Sequence, residues 1–146
     1  MSYWDTSALI KLYAREQDSV VFERHFQFHG GAVAFSRVAV WEARATFRRK
    51  EADGILATGM TQKLHEQLLA DLAAAKWRVI EAGEEVAAEF NRVLDLCHER
   101  TPPLFLRTLD AIHLASARVA GETEIVATDK RLREAAVLLG FTLFPA

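Results

Sequence analysis

Glu124-Ile-Val-Ala-Thr-Asp-Lys-Arg-Leu-Arg-Glu-Ala-Ala-Val-Leu-Leu-Gly-Phe-Thr-Leu-Phe144 carries the repeating unit of the fold in one short stretch. Glu124 to Ala127 has the branched, apolar composition of a strand. Leu132, Ala135, Ala136 and Leu139 then recur at helical spacing until Gly140 stops the pattern. A second strand, Thr142 to Phe144, follows. Strand, helix and strand in this order predict parallel pairing, because the helix carries the chain back across the sheet.

The same alternation runs through the rest of the chain. Ser2 to Trp4, Ala32 to Phe35 and Trp77 to Ile80 read as further short strands. Met60, Leu64, Leu68 and Leu72 form one helical stripe; Val86, Phe90, Val93, Leu94 and Cys97 form another. Pro102-Pro103 ends a helix and enforces an extended connector. With no repeat, low-complexity run or flexible linker, residues 1–146 read as one domain. Its fold class is α/β: a three-layer α/β/α sandwich around a mostly parallel sheet of about five strands.

Composition narrows the function. The 146 residues hold 18 Lys and Arg against 20 Asp and Glu, a net charge of −2, so bulk charge does not hold nucleic acid. A local basic patch is still compatible with that balance. At 51% hydrophobic and 26% charged, the chain is globular, and no apolar run reaches the ~18 residues of a membrane span. The first residues show neither a basic region nor an apolar signal core, which points to the cytoplasm. One cysteine, Cys97, rules out an internal disulfide and continues an apolar stripe, as a core thiol does.

In an open α/β sheet, chemistry gathers beyond the carboxyl ends of the strands. Asp5 follows the first strand and Asp129 the fourth, each with hydroxyl neighbours and a helix after it. Either acid alone reads equally well as a helix N-cap. Asp110 lies in Thr108-Leu-Asp-Ala-Ile-His-Leu-Ala-Ser-Ala117, a helix small or apolar nearly all round and therefore buried. A lone buried carboxylate costs several kcal/mol unless a cation or donors compensate it, with Arg107 as a ready partner. Glu42 sits about one turn into the helix after the second strand, at the border of its Val40, Ala43 and Phe47 face. Together the four acids form a hard oxygen-ligand set suited to Mg²⁺ or Mn²⁺.

The wording around these acids resembles one family. Tyr3-Trp-Asp-Thr-Ser-Ala-Leu-Ile-Lys-Leu-Tyr13 is similar to the opening of PIN-domain ribonucleases, especially VapC-type toxins of bacterial toxin–antitoxin pairs. Ser36 to Ala43, ending in Trp-Glu-Ala, resembles their second motif, Leu106 to Ala117 their third, and Ala127-Thr-Asp-Lys-Arg-Leu132 their fourth. The resemblance covers essentially the whole chain. It implies a PIN fold and a Mg²⁺- or Mn²⁺-dependent endoribonuclease in which Asp5, Glu42, Asp110 and Asp129 are catalytic and metal-binding. Thr6 and Thr128 would support them. It also implies a homodimer, silenced by a VapB-like antitoxin, that cuts structured RNA such as tRNA or rRNA. Metal-activated water would leave a 5′-phosphate and a 3′-hydroxyl. Some PIN branches carry a further acid where this chain has Arg131, so a second metal is less firmly implied than the first. A PIN nuclease of RNA processing without an antitoxin, and a PIN-fold RNA- or protein-binding module without chemistry, are the competing readings.

Other residues carry less. Arg37, Arg44 and Arg48 form a stripe roughly 140° from Glu42 on an ideal helix, so the stripe and Glu42 cannot face one shallow pocket. It suits RNA, a partner or solvent. Lys130, Arg131 and Arg133 lie nearer Asp129 and are the candidate phosphate contacts. His113 is placed to bond Asp110 or to pack. His25 and His29 have a zinc-chelating spacing, but no third ligand suggests itself, and the end of a helix before Gly30-Gly31 explains them more simply. Trp4, Trp41 and Trp77 each sit in an apolar pattern and read as core.

Overall fold

The structure, a computed structural model, describes residues 1–30 and 33–146. Gly31 and Ala32, the latter expected to open the second strand, lie outside the described residues. The strands are β1 (Ser2–Trp4), β2 (Val33–Ser36), β3 (Arg78–Ile80), β4 (Glu124–Val126) and β5 (Thr142–Phe144). They form one sheet in the order β3-β2-β1-β4-β5, and every neighbouring pair is parallel.

The helices are α1 (Thr6–Leu9), α2 (Ser19–Phe28), α3 (Val38–Ala52), α4 (Met60–Ala73), α5 (Glu84–His98), α6 (Thr108–Val119) and α7 (Lys130–Leu138). Strand alternation divides them between two faces. Trp4, Val33, Phe35 and Val126 pack with residues of α1 to α4. Tyr3, Ala34, Ile80 and Ile125 point the other way, into the core built by α5, α6 and α7. A period of two along strands of three or four residues is thus enough to seal a sheet buried on both sides.

The unit around β4, α7 and β5 shows how sequence fixes geometry. Asp129 caps α7 by accepting the Leu132 amide at 3.0 Å. At the other end Gly140 takes φ +87°, and Phe141 donates back to the Ala136 carbonyl at 3.0 Å. Only a residue without Cβ adopts that turn cheaply, and it delivers the chain into β5.

One expected core residue is not in the core. Trp41 is 64% exposed, whereas Trp4 and Trp77 are buried as expected. Trp41 shares the outer stripe of α3 with Arg37, Arg44 and Arg48, one turn apart, while Val40, Ala43 and Phe47 take the sheet side.

The chain builds outward from β1 to β2 and β3, then crosses to β4 and β5 on the other side. That reversal opens a crevice beyond the carboxyl ends of β1 and β4. Asp5 and Asp129 follow these two strands.

Candidate active site

Asp5 leaves β1 in an extended conformation and caps α1, its Oδ1 accepting the Ala8 amide at 3.0 Å and the Ser7 hydroxyl at 2.7 Å. The Ser7 oxygen in turn accepts the Thr128 amide at 3.1 Å, tying together the loops after β1 and β4. Oδ2 of Asp5 has no hydrogen-bond partner among the described residues. Burial pushes this carboxyl up to about 6; His113 and the bonds from Ser7 and Ala8 oppose the rise, and the Glu42 charge adds to it.

Glu42 reaches the same crevice from α3. Its Oε1 accepts the Thr6 hydroxyl at 2.8 Å and Nε2–H of His113 at 2.6 Å. Burial pushes Glu42 upward, but the His113 bond and charge, the Thr6 bond and the Arg107 charge outweigh it and hold the group below the usual carboxylate range. Behind His113, the Tyr3 hydroxyl accepts the Ser36 amide at 3.0 Å and meets Nδ1 at 2.7 Å. With Nε2–H donating to Glu42, Tyr3, His113 and Glu42 form one continuous chain of contacts. His113 therefore orients Glu42; Asp110, three residues before it, takes its bonds elsewhere.

Asp110 lies in the first turn of α6, 7% exposed. Arg107 supplies both of its bonds, Nε to Oδ2 at 2.8 Å and Nη2 to Oδ1 at 3.3 Å. Nη2 also reaches Oδ2 of Asp129 at 3.1 Å. One guanidinium thus bridges two acids that stand on different elements.

All four acids, with Thr6 and Thr128, line one cleft of about 470 Å³. Its basic residues differ from the expected ones. Lys11, Arg49, Lys50 and Arg107 line the cleft; Lys130, Arg131 and Arg133 do not. Arg133 spends its guanidinium on the Ala127 and Pro145 carbonyls, at 2.8 and 2.6 Å. Lys130 and Arg131 are exposed on the first turn of α7. The stripe points elsewhere too: Arg37 pairs with Glu81, Arg44 with Gln62 and Arg48 with Glu51. Lys11 is buried and held by Glu16 and Asp18, and Lys50 pairs with Glu16 at 3.1 Å. The pairing of Arg107 with Asp110 was expected, and their i, i+3 spacing lets the side chains meet. Lys11, the reach of Arg107 to Asp129 and the bond of His113 to Glu42 carried no signal in the local sequence.

Residues 2–138 match the PIN domain family. The chain belongs to that family. It is 30% identical to ribonuclease VapC46 of Mycobacterium tuberculosis over 97% of this chain and 94% of that protein, which makes it a VapC-like PIN nuclease. Solved structures share the fold. VapC20 of M. tuberculosis, a sarcin-ricin loop cleaving toxin, superposes with a TM-score of 0.69 at 18% identity, over 92% of this chain and 95% of that one. The FitAcB structure from Neisseria gonorrhoeae gives 0.67 at 19% identity, over 99% and 96%.

PIN nucleases generally use a divalent metal, and the donors of the cleft fit one. They are hard carboxylate oxygens, one of them buried with an oxygen to spare and reluctant to ionise without a nearby cation. Among the described residues no three donors that include these acids come within 4.8 Å of one another. Like charges repel, and the Arg107 guanidinium stands between Asp110 and Asp129.

Proposed function

We propose that this PIN nuclease is an endoribonuclease toxin dependent on Mg²⁺ or Mn²⁺, with the acid cleft as its active site and residues 1–146 acting as one domain. The observation that carries the reading is convergence. Asp5, Glu42, Asp110 and Asp129 come from four separate segments and line one cleft at the switch point of the sheet.

Asp5, through its unbonded Oδ2, and Asp110 are the residues that would hold the ion directly. Glu42 and Asp129 complete the set. When bound, the ion neutralises charge on a phosphodiester and makes water a better nucleophile. Thr6 and His113 fix the Glu42 carboxylate, and Ser7 with the Thr128 amide fixes the Asp5 loop. His113 is no general base here, because both ring nitrogens are engaged by Tyr3 and Glu42. Arg49 and Lys50 on the cleft wall, with Lys130 and Arg131 exposed on the first turn of α7 after Asp129, receive the phosphates flanking the cut.

The substrate is a structured RNA in the cytoplasm, in keeping with the activity named for VapC20. The toxin works as a homodimer and is held silent by a VapB-like antitoxin; a toxin–antitoxin complex from Klebsiella pneumoniae shares the fold at a TM-score of 0.59. The arginine stripe with exposed Trp41 belongs to the partner-facing surface, outside the cleft.

The test incubates antitoxin-free protein with total bacterial RNA in Mg²⁺, Mn²⁺ or EDTA, beside Asp5→Asn and Asp110→Asn variants. Discrete metal-dependent fragments with 5′-phosphate ends, absent with both folded variants, are expected. Cutting that persists in EDTA or in both variants overturns the mechanism.

A further inference from the structure

A second cluster of ligand-bearing side chains lies on the α2 side of the sheet. His25 is in the last turn of α2, His29 follows as its C-cap, and Glu124 opens β4. Nε2 of His25 lies 2.7 Å from Oε1 of Glu124 and 3.1 Å from Nε2 of His29; the third edge, His29 to Glu124, is 3.2 Å. This is the one group of three such donors within 4.8 Å among the described residues.

Protons alone do not satisfy this triangle. An imidazole nitrogen carries either a hydrogen or an in-plane lone pair, never both. If both histidines donate to Glu124, their two N–H groups confront each other at 3.1 Å. If either nitrogen is left bare, its lone pair faces the carboxylate or competes for the one remaining proton. A cation that accepts all three lone pairs removes the conflict. The spacing suits one: a tetrahedral ion with ~2.0–2.1 Å bonds holds its donors roughly 3.3 Å apart.

The supports are built as well. The i, i+4 spacing puts both histidines on one face of α2. The His25 ring stacks on Phe144 of β5, with centroids 3.6 Å apart and planes 7° apart, which fixes its orientation. All three side chains are largely buried, with 11, 18 and 22% of their surface exposed.

We propose that His25, His29 and Glu124 form a second metal site, separate from the acid cleft, for a zinc-class divalent ion. Two imidazoles and one carboxylate select late transition metals over Mg²⁺, the opposite preference to that of the cleft. The fourth position is left to water. The ion clips the end of α2 to the first residue of β4, so its consequence is stability of the toxin rather than chemistry on RNA.

The experiment uses the untagged full chain. Zn²⁺ is titrated by calorimetry and, separately, by competition with a chromophoric chelator; Co²⁺ serves as a spectroscopic probe. Asp5→Asn/Asp110→Asn protein removes the cleft as a competing site, and His29→Ala and Glu124→Gln, each checked for folding by circular dichroism, remove the new one. One equivalent of Zn²⁺ is expected on wild type and on the cleft variant, with tetrahedral Co²⁺ bands. Affinity should fall at least ~100-fold in His29→Ala, since even the loss of an outer-shell partner costs ten- to a hundredfold. A hundredfold excess of free Zn²⁺ over its Kd should raise Tm by roughly 5–10 °C. Absence of binding to wild type, or binding that survives in His29→Ala and Glu124→Gln but is lost with the cleft acids, overturns the site.

Discussion

Nε2 of His113 lies 2.6 Å from Oε1 of Glu42, and the same ring meets the Tyr3 hydroxyl at 2.7 Å through Nδ1. The contact spans α6, β1 and α3, so the position of one candidate catalytic acid is set by the packing of three elements. Removing the ring takes one partner from the buried Tyr3 hydroxyl and leaves Oε1 of Glu42 with the Thr6 bond alone. His113→Ala should therefore lose about 1–3 kcal/mol of stability. It should also let Glu42 rise from its lowered value, because burial then acts with less opposition. If the ionised form of Glu42 is needed, the acid limb of the pH–rate profile moves to higher pH. A variant that loses stability with its pH profile unchanged would show His113 to be packing alone.

The fold was largely legible because its signals are local. Alternation at Tyr3/Trp4 and Ile125/Val126, helical spacing through Leu132 to Leu139, and Gly140 with φ +87° each depend on near neighbours. The four acids were legible through their strand-end placement and the family resemblance. Side-chain pairing was not. Arg133, close to Asp129 in sequence, turns to backbone carbonyls, while Arg49 reaches the cleft from a different helix. His25 and His29 gained a third donor only when the sheet brought Glu124, 99 positions from His25, to the end of α2. Such pairings are decided by tertiary packing, on which local pattern is silent.

Arg107 occupies the space between Asp110 and Asp129 that a cation would share with them. Its side chain is 57% exposed, so the pairing is screened and worth only ~0.5–1 kcal/mol. An ion entering the cleft must outcompete it. Arg107→Ala should thus tighten Mn²⁺ binding by about two- to fivefold, read by titration, and lower the stability of the metal-free protein. Weaker Mn²⁺ binding in this variant would mean that Arg107 organises the acids for metal instead of competing for them.

Arg49 lines the cleft and Arg44, five residues earlier on the same helix, does not. The two give a matched comparison on one helix. Arg49→Gln should raise KM for RNA and reduce the slope of log KM against log salt by roughly 0.7–1, the share of one phosphate contact. Turnover at saturating RNA should hold. Arg44→Gln should leave KM within about twofold; a larger effect there would move the RNA path onto the outer stripe of α3.

Asp5 sets function against stability. Burial raises its folded-state value to about 6 from an ordinary 3.8, so between these values the folded state binds more proton than the unfolded chain. The contribution of the protonated group is complete below about 4, and is lost as pH rises through 6. By pH 7.5 the ionised carboxylate costs roughly 3 kcal/mol, two pKa units at ~1.4 kcal/mol each. Asparagine cannot ionise, yet its amide oxygen still accepts from the Ala8 amide and the Ser7 hydroxyl, and it caps a helix as well as aspartate does. Metal-free Asp5→Asn should therefore melt about 5–10 °C higher than wild type at pH 7.5. The gain should disappear near pH 3.5, where wild type is protonated too. Mg²⁺ or Mn²⁺ should narrow the gap at pH 7.5 by stabilising wild type alone. Melting curves at the two pH values, with and without metal, check all three outcomes. A gain that persists at pH 3.5 would trace the effect to packing, and no gain at pH 7.5 would mean that Asp5 ionises without cost and awaits no cation.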